Sequence, residues 1–196
     1  MSTMTEKELL DLARRVMIPT YNPLPFIAEH GEGPYLWSRA QKKYLDFSSG
    51  IGVNALGHAH PEVVKAIDEQ ATSLCHTSNM FFHGPYIRLC ERLGEIAFTG
   101  QAFLTNSGTE ATEAALKLAC RYFHQAGQKR SHFVSTHGSF HGRSTGSLGL
   151  TGQPSYHEGY GALVTPASWV PFDDLHAMQQ AITEDTIAVI LEPIQG

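Results

Sequence analysis

The chain has 196 residues, 42% of them hydrophobic, and a net charge of −5 at neutral pH. A chain of this length buries roughly 70% of its unfolded surface, which suffices for one domain or for part of a larger one. The acidic balance and the lack of a basic stripe argue against a nucleic-acid partner. No apolar run approaches the ~18 residues of a membrane span. Met1 to Lys7 is polar and lacks an apolar signal core, so no export is expected and the cytoplasm is the expected location.

The first predicted helix covers residues 5–16, with Leu9, Leu10, Leu12, Ala13 and Val16 as its apolar side. Pro19, Pro23 and Pro25 then hold the chain extended. Short strands are predicted at 26–28, 35–37 and 44–47, separated by Gly31 and Gly33 and then by residues 38–43. This pattern is a small antiparallel meander, and the N-terminal region is expected to run from 1 to 57.

After Gly57 the pattern changes, and residues 58–196 are expected to belong to a larger α/β domain. Pro61 and Pro85 each open a helix. The first helix carries Val64, Ile67, Ala71 and Leu74 at helical spacing. The second carries Leu89, Cys90, Leu93, Ile96 and Ala97 on one face. A strand at 102–105, a helix at 110–126, strands at 132–135 and 169–172, a helix at 174–183 and a strand at 187–191 follow. This alternation favours a mainly parallel sheet with helices on its faces. The domain stops after its last strand, so it is expected to be incomplete. Cys75, Cys90 and Cys120 have no CxxC spacing and sit among apolar neighbours; buried free thiols are expected. The eleven histidines are scattered. His58 and His60, or His137 and His141, lack further ligands nearby, so no metal site is expected.

Three segments carry chemistry. The strand at 102–105 runs into Ser107-Gly108-Thr109-Glu110 and a helix with Ala111, Ala115, Leu118, Ala119, Tyr122 and Ala126 as its apolar stripe. Ser107 and Glu110 fit a capping box, which on its own marks only a well-capped helix. Gly108 adds room for a ligand to approach the backbone, and free N–H groups at a helix start suit a phosphate. Phe140-His141-Gly142-Arg143 follows the next strand and should lie at the same sheet edge. An aromatic ring there can cover a flat cofactor, and an arginine can grip a carboxylate through two parallel bonds. A core phenylalanine and a surface arginine in a glycine-rich loop fit the same residues. Glu192 adds a carboxylate at the end of a third apolar strand, where a purely structural role is equally compatible.

Six ordered blocks together resemble the class III aminotransferases, which use pyridoxal phosphate and have the fold-type-I α/β architecture. They are Tyr44-Leu45-Asp46-Phe47, Gly57-His58-Ala59-His60-Pro61, His76-Thr77-Ser78-Asn79, Ser107-Gly108-Thr109-Glu110, Phe140-His141-Gly142-Arg143 and Glu192-Pro193-Ile194-Gln195-Gly196. Val53 to His58, His76 to Asn79 and Gly152-Gln153-Pro154 are most similar to members acting on acetylornithine. The resemblance implies that Gly108 and Thr109, after Ser107, hold the cofactor phosphate by backbone N–H groups. It also implies that Phe140 stacks on the pyridine ring with His141 beside it, and that Arg143 takes a substrate carboxylate. Glu192 then lies beside the cofactor, while Ile51 and Asn79 line the substrate entrance or a dimer seam. Thr112 stands where the family pattern has asparagine, with little expected effect.

The implied reaction moves an amino group from an ω-amino donor such as N-acetylornithine to 2-oxoglutarate, in a homodimer. Ornithine, succinylornithine and 4-aminobutyrate are alternative donors on the same scaffold. The family's Schiff-base lysine and pyridine-pairing aspartate lie downstream of the block at Glu192. None of Lys7, Lys42, Lys43, Lys65, Lys117 and Lys129 matches that lysine's context, and Lys117 is expected to pair with Glu113 one turn earlier. Residues 1–196 alone are therefore expected not to transaminate. A noncatalytic piece that binds phosphate or a partner chain is the alternative from another functional class.

Overall fold

The computed structural model describes residues 4–163 and 165–196. The chain divides into two compact units, Met1–His83 and Gly84–Gly196. That division falls later than the change of sequence pattern at Gly57.

In the first unit, helix α1 (Glu6–Val16) starts at Thr5, whose side chain accepts from Glu8 N while the Glu8 carboxylate accepts from Thr5 N. This is a complete capping box. Strands β1 (Ala28–Glu32), β2 (Tyr35–Ser38) and β3 (Lys43–Leu45) form the expected antiparallel meander in the order β1-β2-β3. The first strand begins later than the predicted 26–28 because those residues are engaged elsewhere. The Phe26 ring stacks on Tyr44 at 4.5 Å, and Ile27 N donates to the Glu6 carboxylate at 2.8 Å. Helix α2 (Pro61–Ser73) opens at Pro61 as expected, but no residue on it is buried.

In the second unit, helix α3 (Gly84–Ile96) leads to residues 101–105, which form no strand. A strand needs a hydrogen-bonded neighbour. Here Leu104 N donates only to the Tyr86 hydroxyl, at 3.4 Å. Helix α4 (Gly108–Gln125), strand β4 (His132–Thr136), helix α5 (Thr145–Leu148), strand β5 (Ala167–Val170), helix α6 (Leu175–Ala181) and strand β6 (Thr186–Val189) complete the unit. Strand β5 ends before Pro171, which has no N–H for a ladder. The sheet has the order β5-β4-β6, and both pairings are parallel. The central strand is covered on both faces, as its unbroken run of buried residues requires.

The core joins Leu116 of α4 to Phe133, Leu150 and Ile187, with Ala119 and Phe123 packed against them. Each such burial contributes roughly 1.5–3 kcal/mol. The buried face of α4 is therefore the 116/119/123 row. The expected stripe through Leu118 and Tyr122 is 72% and 66% exposed at those two residues. Both rows are apolar, so periodicity alone did not choose between them. Arg130 adds to the choice, with its guanidinium 4.1 Å over the Phe123 ring and a bond to Thr186 O at 2.8 Å.

The thiols also depart from expectation. All three cysteines are free, but Cys75 and Cys120 are exposed and Cys90 is half-buried. Cys75 follows the end of α2, and Cys120, one turn after Leu116, lines an open cavity beside the core. Among the described residues, no helix is long and apolar enough to cross a membrane, and no three His, Cys, Asp or Glu side chains gather as a metal site.

One cluster organises the turn after β3. Asp46 accepts from Ser48 N, Ser48 Oγ and Ser49 N, and it pairs with His58 Nε2 at 2.7 Å. The Ser48 hydroxyl and the His58 ring hold the Asp46 carboxyl down to about 2, against an ordinary value of 3.8, and the backbone N–H groups add to this. A depressed carboxyl stabilises the fold above its ordinary value, and that stability is lost as pH falls through the depressed one. Urea unfolding of the first unit, followed by Trp37 fluorescence between about pH 5 and pH 2, is expected to weaken along that interval. Asp46→Asn should flatten this acid limb. An identical limb in the variant would show that Asp46 does not carry it.

Candidate active site

Helix α4 begins at Ser107, whose hydroxyl accepts from Glu110 N at 3.3 Å. Glu110 does not return the bond to Ser107 N, so the expected capping box is only half made. Its carboxylate instead accepts from Asn106 N at 2.7 Å, one residue earlier. Among the described residues, no acceptor is bonded to the N–H groups of Gly108 and Thr109. An added Cβ on Gly108 would meet nothing within 4 Å, so the backbone there is open to a ligand.

The loop leaving β4 is tied back to it. Gly138 N donates to Gly152 O at 2.7 Å, and Gly152 N donates to Ser139 Oγ at 3.0 Å. A Cβ at Gly152 would collide with the Thr136 carbonyl, so only glycine permits this return. His141 N donates to Thr151 Oγ1 at 3.0 Å, and His141 Nε2 lies 3.1 Å from Ser135 Oγ. Phe140 N donates to Glu192 Oε2 at 2.9 Å. Glu192 lies three residues beyond the end of β6, which stops earlier than the strand expected at 187–191. Gln195 fixes its segment: Thr136 Oγ1 donates to Gln195 Oε1 at 3.1 Å, and Gln195 Nε2 donates to His137 O at 2.7 Å.

The structure thus gathers Phe140, His141 and Glu192 at the end of β4. The Phe140 side is 46% exposed, leaving ring surface open. Arg143 has no carboxylate partner among the described residues. Its guanidinium lies 4.1 Å over the Tyr156 ring and 5.8 Å from that of Phe140. It lines a cavity of about 360 Å3 with Leu148, Tyr156, Glu158 and Tyr160.

Ile51 and Asn79 belong to the first unit. Ile51 sits in a run of left-handed residues, Ser49, Gly50, Ile51 and Gly52, with φ of 50°, 60°, 56° and 87°. A β-branched residue rarely adopts this conformation, and here its side chain is 96% exposed. Asn79 is exposed in the short 3-10 turn Ser78–Met80, and Ser78 Oγ donates to its Oδ1 at 3.2 Å.

Several residues of this site went unread in the sequence. Gln195 follows Glu192 with no sequence signal for its bonds, and Ser139, Thr151 and Tyr156 carry no local signal. Glu113 was expected to pair with Lys117. It instead accepts from Ser144 Oγ and from Ser147 N, the latter at 3.0 Å.

The class-III aminotransferase family model matches residues 16–196. The chain belongs to the class-III aminotransferases. An acetylornithine aminotransferase of Pseudomonas putida is 45% identical over 183 residues, covering 93% of this chain and 45% of that protein. A succinylornithine transaminase/acetylornithine aminotransferase of Pseudomonas aeruginosa is 44% identical over the same share of both chains. A crystal structure of adenosylmethionine-8-amino-7-oxononanoate aminotransferase from Methanocaldococcus jannaschii matches with a TM-score of 0.91 at 28% identity, covering 98% of this chain and 48% of that one. The fold is thus that of the fold-type-I pyridoxal-phosphate transferases, and the chain spans about half the length of the curated relatives it matches.

Burial holds the His141 imidazole below its ordinary value, and the nearby Glu192 carboxylate partly offsets this. The sign for a variant follows. Removing the Glu192 charge removes the raising influence. Histidine NMR titration of Glu192→Gln should move His141 further down. A rise would show that Glu192 does not act on this ring.

Proposed function

We propose that this chain supplies the cofactor-facing part of an aminotransferase whose donor is an N-acylated ornithine or a related ω-amino acid and whose acceptor is 2-oxoglutarate. The observation that carries the reading is the joint between two pieces. The first turn of α4, whose Gly108 and Thr109 N–H groups have no acceptor among the described residues, is bonded through Thr109 to the loop that bears Phe140, His141 and Arg143.

The residues present fit pyridoxal phosphate. Gly108 and Thr109 would hold its phosphate, because an open backbone at a helix start favours a dianion. The uncovered face of Phe140 would pack on the ring, with the His141 side chain fixed beside it. When bound, this cofactor supplies the electron sink that labilises bonds at the amino-bearing carbon. Glu192, anchored by Phe140 N, would set the charge at the substrate side. Arg143 would orient the donor through its carboxylate, being a planar fork with no carboxylate partner among the described residues.

The similarity to relatives named for acetylornithine and for succinylornithine supports the acylated-ornithine class and leaves the acyl group open. Ile51 and Asn79 are proposed at the substrate entrance or at the seam of a homodimer. Exposed Met80, Phe81 and Phe82 support a seam near Asn79. Cytoplasmic location is part of the same proposal.

Arg143→Lys in the active enzyme should lower kcat/KM for N-acetylornithine roughly ten- to a hundredfold, since a charged paired bond is worth ~1.5–3 kcal/mol. Cofactor retention should stay unchanged. Steady-state kinetics with bound-cofactor absorbance checks both, and unchanged kinetics would remove Arg143 from the donor site.

A further inference from the structure

We propose that Glu113 is a positioning residue of this site, acting through Ser144, Ser147 and Thr109; the inference rests on the phosphate-binding reading given above. Glu113 lies one turn after Thr109 on α4, so both side chains face the same neighbour. That neighbour is the turn Ser144–Ser147. Its Ser144 hydroxyl and Ser147 N–H both donate to Glu113 Oε1.

The fit is close enough to dictate sequence. A Cβ at Gly146 would lie 2.9 Å from Glu113 Cδ and nearer still to its oxygens. A Cβ at Gly142 would collide with the Thr109 and Ser147 side chains, and Gly142 also has a φ of 126°. Two glycines thus make room for one helix turn carrying Thr109 and Glu113.

The carboxylate also sets the direction of the hydroxyl protons. An ionised carboxylate only accepts, so Ser144 gives its proton to Glu113. Ser147 Oγ donates to Ser144 O at 3.2 Å. Thr109 Oγ1 lies 2.8 Å from Ser144 Oγ and 2.7 Å from Ser147 Oγ, and it accepts from Ser144 N at 3.3 Å. Ser147 Oγ also lies 2.8 Å from Ser144 Oγ, so Thr109 shares a closed cluster of three hydroxyls with them. Its hydroxyl is turned into the protein, and only its backbone N–H is left for a phosphate. Glu113 thereby holds the start of α4 in register with the loop carrying Arg143, without meeting the ligand itself.

The test measures the affinity of the apo-protein for inorganic phosphate and for pyridoxal phosphate by calorimetry, in Glu113→Ala, Glu113→Gln and Ser144→Ala. Glu113→Ala should weaken both ligands about tenfold, since it frees two donors and lets the hydroxyl chain reverse. Glu113→Gln keeps a carbonyl acceptor in place and should recover most of that loss. Ser144→Ala cuts the chain with a smaller change and should weaken binding in the same direction, which covers a failure of Glu113→Ala to fold. A merely structural role would lower the melting temperature while leaving the ligand affinity of the folded protein unchanged. Wild-type affinity in both Glu113→Ala and Ser144→Ala, or no recovery in Glu113→Gln, would overturn the proposal alone. A wild-type protein that binds neither ligand would overturn the functional reading and this inference with it.

Discussion

Strand β4 is hydrogen-bonded along both edges, to β5 and to β6, and both neighbours run parallel to it. A parallel strand cannot turn back into its neighbour, so the chain must leave at its carboxyl end and cross over. Phe140, His141 and Glu192 depend on how that exit is shaped. Gly138 and Gly152 close the exit loop, and Gln195 bonds to Thr136 and His137 on the last residues of the path. With Gln195 in place, Glu192 meets the Phe140 N–H. Ligands of open parallel sheets bind outside the carboxyl ends of the strands, and this exit is such a place.

The sequence made the order of elements legible because long-period signals are strong. Pro61, Pro85 and Ser107 marked helix starts, and the alternation from residue 102 onward marked a parallel sheet. Legibility failed where a tertiary partner decides the outcome. Residues 101–105 have strand composition but no ladder neighbour in the described chain. Helix α4 has two apolar rows, and only packing on Phe133 and Ile187 selects that of Leu116. The strand expected at 26–28 gave way to a ring stack and a bond to Glu6.

The site was legible in part for the same reason. Phe140, His141, Arg143 and Glu192 were readable as a set because each follows a strand, and the sheet brings three of them to one edge. Glu113 was read locally, as a helix-surface partner for Lys117, because i,i+4 charge pairing is the nearest rule to hand. A bonding turn 31 residues away outcompetes that exposed pair, which would be worth only a few tenths of a kcal/mol. The left-handed run around Ile51 was equally hidden. Its two glycines hint at a turn, but the restraint comes from Asp46, His58 and the serines between them.

The central claim is that the first turn of α4 receives the cofactor phosphate through the Gly108 and Thr109 amides. Backbone amide NMR during titration with pyridoxal phosphate tests this most directly. The account predicts large, saturable shifts at Gly108 and Thr109, with smaller shifts at Phe140 and His141. Saturable binding that leaves the Gly108 and Thr109 amides unmoved would contradict it.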